Sequence, residues 1–417
     1  MSHQIFSSIG VSVSKCRVCE TEYRPFISFG KQPIANGFLT PDKFKDEYFF
    51  EMQVGFCENC KMVQLIDQPD REMMFHENYA FFSSTSNHMQ IHFKNTALKL
   101  KERFLKNSDP FVVEIGSNDG IFLKNFHELN VRHLGVEPSK NVAEVAKSKG
   151  INTVNEFFDK TLALKAIELN GKAHLIYSAN VICHIPYINS IFSGVEALLA
   201  SDGVFVYEDP YLGDIIQKTS YDQIYDEHVF FFSVMSVSEL AKKNNLEVFD
   251  VEPIETHGGS MRYFIAPKGA RAITENVSRQ LQVEKNLKLD ELKTYEQFKK
   301  NVENSREELV SLLKKVKSEG KRVVGYAATS KSTTILNYCQ IGPDLVEFIS
   351  DTTPLKHNKF SPGMHIPVKE YSEFSKKHPE YALLFGWNHS KEIKAKEQSF
   401  MSSGGKWIEY VPNVHVE

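Results

Sequence analysis

From Phe111 onward the chain alternates short apolar runs with longer segments in which apolar residues recur every third or fourth position. The runs "FVVEIG", "HLGVEP", "INTVNEF", "HLIYSANV" and "GVFVYEDP" predict strands, since β-branched and aromatic residues crowd between Gly, Pro, Asn and Asp. Between them, "GIFLKNFHEL", "VAEVAKSKG" and "INSIFSGVEALLA" carry the helical period. Such alternation predicts a doubly wound α/β sheet with helices on both faces. Farther on, "SVSELAKKNNLEVFDVEPI" adds a helix and a strand, and "GGSMRYFIAP" closes the unit near Pro267 as an antiparallel hairpin.

The flanks have other patterns. Up to about Glu77 the chain is loop-rich with scattered short strands, a segment that needs a staple. "NYAFFSSTSNHMQIHFKNTALKLKERFL" reads as a turn and then a helix with Ile91, Ala97, Leu98 and Leu105 on its inner side. Past Pro267 a charged stretch sets Phe298, Val302, Leu309, Leu312, Leu313 and Val316 at helical spacing beneath a solvated face. It leads to a third unit with strands "RVVGYA", "LVEFISD" and "YALLFGW". The expected division is residues 1–78, 79–268 and 269–417.

Composition narrows the class. At 417 residues the chain exceeds one ordinary core. Apolar residues at 41% and charged ones at 24% are those of a soluble globular protein. A net charge of -4 with no basic stripe argues against nucleic acid as a partner. The amino terminus does not read as a signal peptide, and no run is long enough to span a bilayer. A cytoplasmic protein with reduced cysteines is therefore expected. The sequence leaves the oligomeric state open, with a monomer among the possibilities.

Four of the six cysteines are paired: Cys16 and Cys19 form one C-x2-C, Cys57 and Cys60 another. Four thiolates suit tetrahedral Zn(II), which would stabilise a segment that packing alone cannot. Four protein ligands leave no open coordination position, so the expected role is structural.

In "VVEIGSNDGIFL" a strand ends at Glu114, and Gly116 and Gly120 open a tight loop before a helix, an arrangement that lets a ligand approach the backbone. Asn118 stands where a dinucleotide fingerprint has its second glycine. Glu137, ending the next strand in "GVEPS", is suited to bind two ribose hydroxyls. A ribose-bearing cofactor without pyrophosphate fits better than NAD, and this points to S-adenosylmethionine and a class I methyltransferase sheet. Phe157 and Phe158, after the third strand, either sandwich its adenine or serve as plain core. Asn180, after the fourth strand, falls near the methionine moiety.

Separate segments bring reactive side chains to the end of the sheet where ligands bind. Tyr79 comes from "ENYAFFSS", His184 from "NVICHIP", Glu208 from "YEDPYLGD", and Tyr225, Glu227 and His228 from "YDEHVFFFSV". A histidine beside a carboxylate can act as a base near neutral pH, and tyrosines can donate to an oxyanion. Taken singly, each is more readily a satisfied core or surface group, and it is their conjunction that points to chemistry. The phenylalanines after His228 are expected to wall the pocket against water.

The segments "CRVCE", "PIANGFL", "GFCENCKMVQL", "YAFFSSTSNHM", "VEIGSNDG", "SANVICHIP", "YDQIYDEHVFFFS", "THGGSMR" and "DTTPLKHNKFSPGMHIPV" together resemble the bacterial deoxysugar C-methyltransferases. That family methylates C3 of nucleotide-linked, typically dTDP-linked, 4-keto-6-deoxyhexoses. The resemblance implies an N-terminal zinc-binding domain, a central Rossmann-like S-adenosylmethionine domain and a smaller C-terminal α/β domain. It also implies that His228 removes the proton alpha to the ketone. Tyr79, His184, Tyr225 and Glu227 would then hold the sugar and stabilise the enolate.

The third unit opens with "VVGYAATSKSTTIL", a Walker-like loop in which Ser330 replaces the second glycine before Lys331, so ATP hydrolysis is not expected. Lys331, Lys356, His357 and Lys359 are candidates for the pyrophosphate of a sugar nucleotide. The same segment can be an ordinary strand-to-helix turn, and Asp351 a loop cap. Two rival readings stay open: a sugar O-methyltransferase, and a non-catalytic zinc-containing nucleotide- or RNA-binding protein.

Overall fold

The computed structural model describes residues 13–74 and 82–417. Among these residues the chain forms four sheets. Strands β1 (Ser14–Lys15) and β2 (Glu22–Tyr23) frame the first C-x2-C turn. Strands β3 (Pro25–Pro33), β4 (Phe49–Phe56) and β5 (Val63–Leu65) follow as an antiparallel meander. Alternation along β4 puts Phe50, Met52 and Val54 inside.

The central sheet contains β6 (Phe111–Ile115), β7 (Arg132–Val136), β8 (Thr153–Val154), β9 (Ala173–Ala179) and β10 (Leu199–Pro210). These five are parallel to one another. Within the next stretch, β11 (Phe230–Phe231) leaves this sheet and pairs antiparallel with β5. Strands β12 (Leu246–Ile254) and β13 (Ser260–Pro267) then complete seven strands in the order β12-β13-β10-β9-β6-β7-β8, with β13 antiparallel to both neighbours. The order reverses between β6 and β9, which opens a crevice at their carboxyl ends.

The sheet of the third unit, hereafter the third sheet, runs β16 (Val368–Glu370), β15 (Ile349–Asp351), β14 (Val323–Tyr326), β17 (Tyr381–Leu384), β18 (Lys406–Glu409) and β19 (His415–Val416). All but β19 are parallel. Its order reverses between β14 and β17, so it has a crevice of its own. Helix Leu292–Ser318 packs Phe298, Val302, Leu309 and Leu313 into the core shared by the N-terminal and third sheets. No helix is long and apolar enough to cross a membrane among the described residues.

Three sequence expectations need correction. The helix at Asn87–Phe104 turns Ile91 and Leu98 to solvent, at 62% and 44% exposure, and buries Phe93, Ala97, Leu100 and Phe104. Two of the four expected positions, Ala97 and Leu105, do lie on the buried face, and Phe93 and Leu100 complete it in place of Ile91 and Leu98. Helix Lys160–Asn170 was absent from the predicted elements: Asp159 caps it by accepting from Leu162 N at 2.8 Å, and Gly171 ends it with φ 78°. "INTVNEF" supplies only the short β8.

Candidate active site

The four cysteines predicted as ligands converge. Their sulfurs all lie within 4.8 Å of one another, with Cys16–Cys60 and Cys19–Cys57 each at 3.5 Å. A tetrahedral ZnS4 centre with bonds of about 2.3 Å has sulfur edges of about 3.8 Å, so the set fits zinc. Both knuckles turn alike: Glu20 and Lys61 take φ near 60° and donate to the carbonyls of Cys16 and Cys57. Gln64 Nε2 donates to Cys16 Sγ at 3.1 Å and so supports a thiolate there. The centre is a structural zinc site.

A second site lies at the carboxyl ends of β6, β7 and β9. Glu137 is buried, and its oxygens accept from Asn118 N at 2.9 Å and Ser139 N at 2.7 Å. Each oxygen keeps a further lone pair, as ribose hydroxyls require. Gly116 has φ 72°, and a Cβ on it would stand 2.3 Å from Val181 Cγ2. No larger residue could make this turn against the neighbouring loop. Glu114 is buried behind it, and burial followed by the charges of Glu137 and Asp119 raises its carboxyl well above the ordinary range. Gly120, with φ 81°, packs on Ile151 instead of facing the cavity. Phe157 is half-buried on the cavity wall, whereas Phe158 on the same wall also belongs to the main core.

That cradle opens into a cavity of about 2600 Å³ shared with the third sheet. His184, Tyr225 and Glu227 line it, as do Lys331, Lys356 and Lys359 from the other side. His228 lies deeper, at 3% exposure. Its Nδ1 is 2.8 Å from the Gln223 carbonyl, and its Nε2 is 2.7 Å from the Tyr225 hydroxyl. A carbonyl only accepts, so the proton sits on Nδ1 and Nε2 presents its lone pair. Burial, then the nearby His184, lowers the His228 pKa well below 6.5 and keeps the ring neutral. The His184 ring lies 5.2 Å away at 23°, with its pKa lowered by burial to about 4. Tyr79 falls outside the described residues.

Glu227 is buried at 4% exposure, which raises its pKa to about 7, while Asn36 Nδ2 donates to it at 2.7 Å. Beside it, Asp226 accepts from Ala35 N at 3.0 Å. Loop Ile34–Phe38 of the N-terminal unit thus reaches the cavity wall. Sequence reasoning missed Asn36, although "PIANGFL" was among the segments it singled out. It missed Gln223 and His257 too, because neutral amides and a lone histidine in a loop carry no spacing signal.

Phe230, Phe231 and Phe232 are not on the cavity wall. Phe230 and Phe232 pack in the core of the central sheet and Phe231 in the core beneath the N-terminal sheet. The run is a strand wedged between two cores, which explains its apolar character without a role in drying the pocket.

On the far side, Lys331 Nζ stands 4.7 Å over the Trp387 ring and makes two long contacts, to the His257 carbonyl and Asn388 Oδ1 at 3.4 Å each. Lys356 Nζ donates to the Ala328 carbonyl at 2.6 Å. His357 is turned away, with Nε2 2.9 Å from the Asp351 carbonyl, and is not on the cavity wall. Asp351 is a loop cap that accepts from Ala328 N and Thr353 N, both at 2.7 Å.

A seven-stranded sheet of this order, with an acidic residue after its second strand and a glycine turn after its first, defines a class I S-adenosylmethionine-dependent methyltransferase. Family models match three consecutive stretches: a zinc binding domain over residues 16–75, a methyltransferase domain over 89–251, and a C-methyltransferase C-terminal domain over 255–412. The chain is 32% identical over 407 residues to the C-methyltransferase NovU of Streptomyces niveus, covering 97% of both chains. It belongs to the C-methyltransferase family. Solved structures overlap it more weakly. Magnesium protoporphyrin IX methyltransferase (ChlM) from Synechocystis PCC 6803 with bound SAM is 12% identical over 42% of this chain and 78% of that one, with a TM-score of 0.32. An S-adenosylmethionine-dependent methyltransferase from Clostridium acetobutylicum is 13% identical over 45% and 94%, with a TM-score of 0.34.

Proposed function

We propose that this C-methyltransferase acts on C3 of a nucleotide-linked 4-keto-6-deoxy sugar, probed most simply as the dTDP form, by base-catalysed enolisation. The observation that carries the reading is the state of His228: its proton is committed to a carbonyl at Nδ1, and its lone pair faces the hydroxyl of a tyrosine on the cavity wall. A carbon next to a ketone is acidic enough for imidazole only when donors stabilise the developing oxyanion. Tyr225 and His184 stand within reach of that duty, and Lys331, Lys356 and Lys359 offer positive charge to a pyrophosphate from the opposite wall.

In this reading the residue division 1–78, 79–268 and 269–417 assigns the zinc unit, the donor unit and the sugar-nucleotide unit. When bound beside Gly116, Asn118, Glu137 and Asn180, with Glu114 and Gly120 shaping the turn from behind, S-adenosylmethionine supplies an electrophilic methyl group. The chain itself supplies the base, the oxyanion donors and the exclusion of water. His228 takes the carbon-bound proton at Nε2 as the Tyr225 hydroxyl swings from that lone pair to donate to the developing oxyanion.

Deuterium uptake from D2O into dTDP-4-keto-6-deoxyglucose, with S-adenosylhomocysteine present, tests the assignment. Uptake at C3 is expected in the native protein and is lost in His228→Asn. Uptake at C5 would move the methylation site. An absence of uptake together with methylation of a hydroxyl would replace this reading with O-methylation.

A further inference from the structure

His257 sits at the crossing of the donor cradle, the base and the third sheet. It is held at φ 56°, a backbone conformation uncommon for residues other than glycine. The two glycines after it leave no alternative. A Cβ on Gly258 would stand 2.3 Å from the Trp387 ring, and one on Gly259 would stand 2.4 Å from Asp214 Oδ2. Strained positions of this kind persist only where their surroundings over-determine them.

Three hydrogen bonds meet on this residue. Its Nε2 is 2.6 Å from Asn180 Nδ2, so the amide donates and the ring carries its proton on Nδ1. Its carbonyl accepts from Gln223 Nε2 at 3.2 Å and from Lys331 Nζ at 3.4 Å. Gln223 is fully buried, and its Oε1 has no partner among the described residues, so the bond to His257 is what orients this amide. The carbonyl of the same Gln223 accepts the Nδ1 proton of His228.

We propose that His257 is a positioning residue that couples the methyl-donor cradle to the base, by transmitting the position of Asn180 through Gln223 to the His228 ring. Lys331 reads the same carbonyl from the opposite wall, so both halves of the cavity bear on one loop. Burial, then the charge of Lys331, lowers the His257 pKa to about 3. The ring therefore stays neutral, and the proton pattern of the chain is the same throughout the working pH range. The proposal rests on the carbon-methylation reading only in naming His228 as the base. A relay of packed, hydrogen-bonded groups between two sites is a physical route for coupling, and its strength must be measured.

The measurement is nitrogen NMR of histidine-labelled protein, titrated with S-adenosylhomocysteine. In the native protein the His228 ring resonances are expected to move on saturation. In His257→Ala they stay fixed while calorimetry still detects the ligand, and His257→Gln, whose Oε1 can accept from Asn180, restores the movement. Asn180→Ala, which leaves the loop intact, should abolish it as well. An undiminished shift in His257→Ala, or no shift in the native protein, overturns the proposal. Deuterium exchange into dTDP-4-keto-6-deoxyglucose separates the two readings. Under the coupling, S-adenosylhomocysteine accelerates exchange in native protein but not in His257→Ala. If the native protein exchanges no carbon-bound hydrogen, carbon methylation of this sugar fails, and the NMR shift still decides the coupling.

Discussion

The Tyr225 hydroxyl donates to Nε2 of His228 across 2.7 Å, three residues along the chain, so the phenol on the cavity wall and the buried imidazole form one unit. Replacing Tyr225 with Phe leaves Nε2 without its neighbour and removes an oxyanion donor. The exchange rate of the sugar should fall about 100-fold or more, with S-adenosylhomocysteine binding unchanged. His228 must be neutral to act, and its pKa lies below 6.5. The His228 contribution should therefore be lost only as pH falls through that lowered value, with no His228 limb above pH 6.5. An acid limb centred above 6.5 that persists in Glu227→Gln, and so does not come from the carboxyl near 7, would remove His228 from the base role.

Asn36 reaches from the zinc-bearing unit to Glu227. Burial raises this carboxyl to about 7, and the Asn36 bond works against that rise. In Asn36→Ala the midpoint should climb by about one pH unit, since a hydrogen bond to a charged group contributes about 1.5 kcal/mol or more. Carbon NMR titration of the Glu227 carboxyl in both proteins reads this directly, and an unchanged midpoint would mean the contact carries nothing.

Zinc removal should disturb more than the cysteines. Chelation, or Cys57→Ser, is expected to release one metal per chain and to unfold the loop-rich segment around it. Because β11 pairs with β5, and Asn36 and Gln68 touch the stretch around Asp226, catalytic loss should accompany metal loss. Metal content and exchange rate measured along one chelator titration should fall together. Full exchange in a metal-free protein would contradict this.

Asp209 is fully buried and accepts from Cys183 N at 3.0 Å. Burial raises its pKa from the ordinary 3.8 to about 8. A folded state that binds the proton more tightly than the unfolded chain loses stability as pH rises between those two values. Asp209→Asn retains an acceptor without the ionisation. It should be more stable than the native protein at pH 8, by a few kcal/mol at most, with a flatter profile between about pH 4 and 8. Urea midpoints across that range check it, and parallel profiles would contradict it.

What could be read from the sequence was whatever carries a period or a spacing. The paired cysteines, Glu137 at the strand end next to that of Gly116, and the Tyr225–Glu227–His228 cluster all lie in local patterns, and the structure draws the members of each group together. Asn36 and His257 became visible only after folding, because their partners lie far along the chain. The helix face at Ile91 and Leu98 was misread because an exposed aliphatic residue is common and carries little information by itself. The phenylalanines of β11 were assigned to a pocket because apolar runs announce burial without saying in which core.

The pairing of β11 with β5 also orders events during synthesis. A chain emerging from the ribosome can gather Cys16, Cys19, Cys57 and Cys60 around a metal early, yet the sheet beside them lacks its edge until Phe230 and Phe231 arrive. Amino-terminal units commonly fold first as they emerge. Here the nascent unit must carry one open edge, along Val63–Leu65, through the making of most of the central sheet. Until Phe230 and Phe231 pair with it, that edge is a template on which the edge of another chain can add.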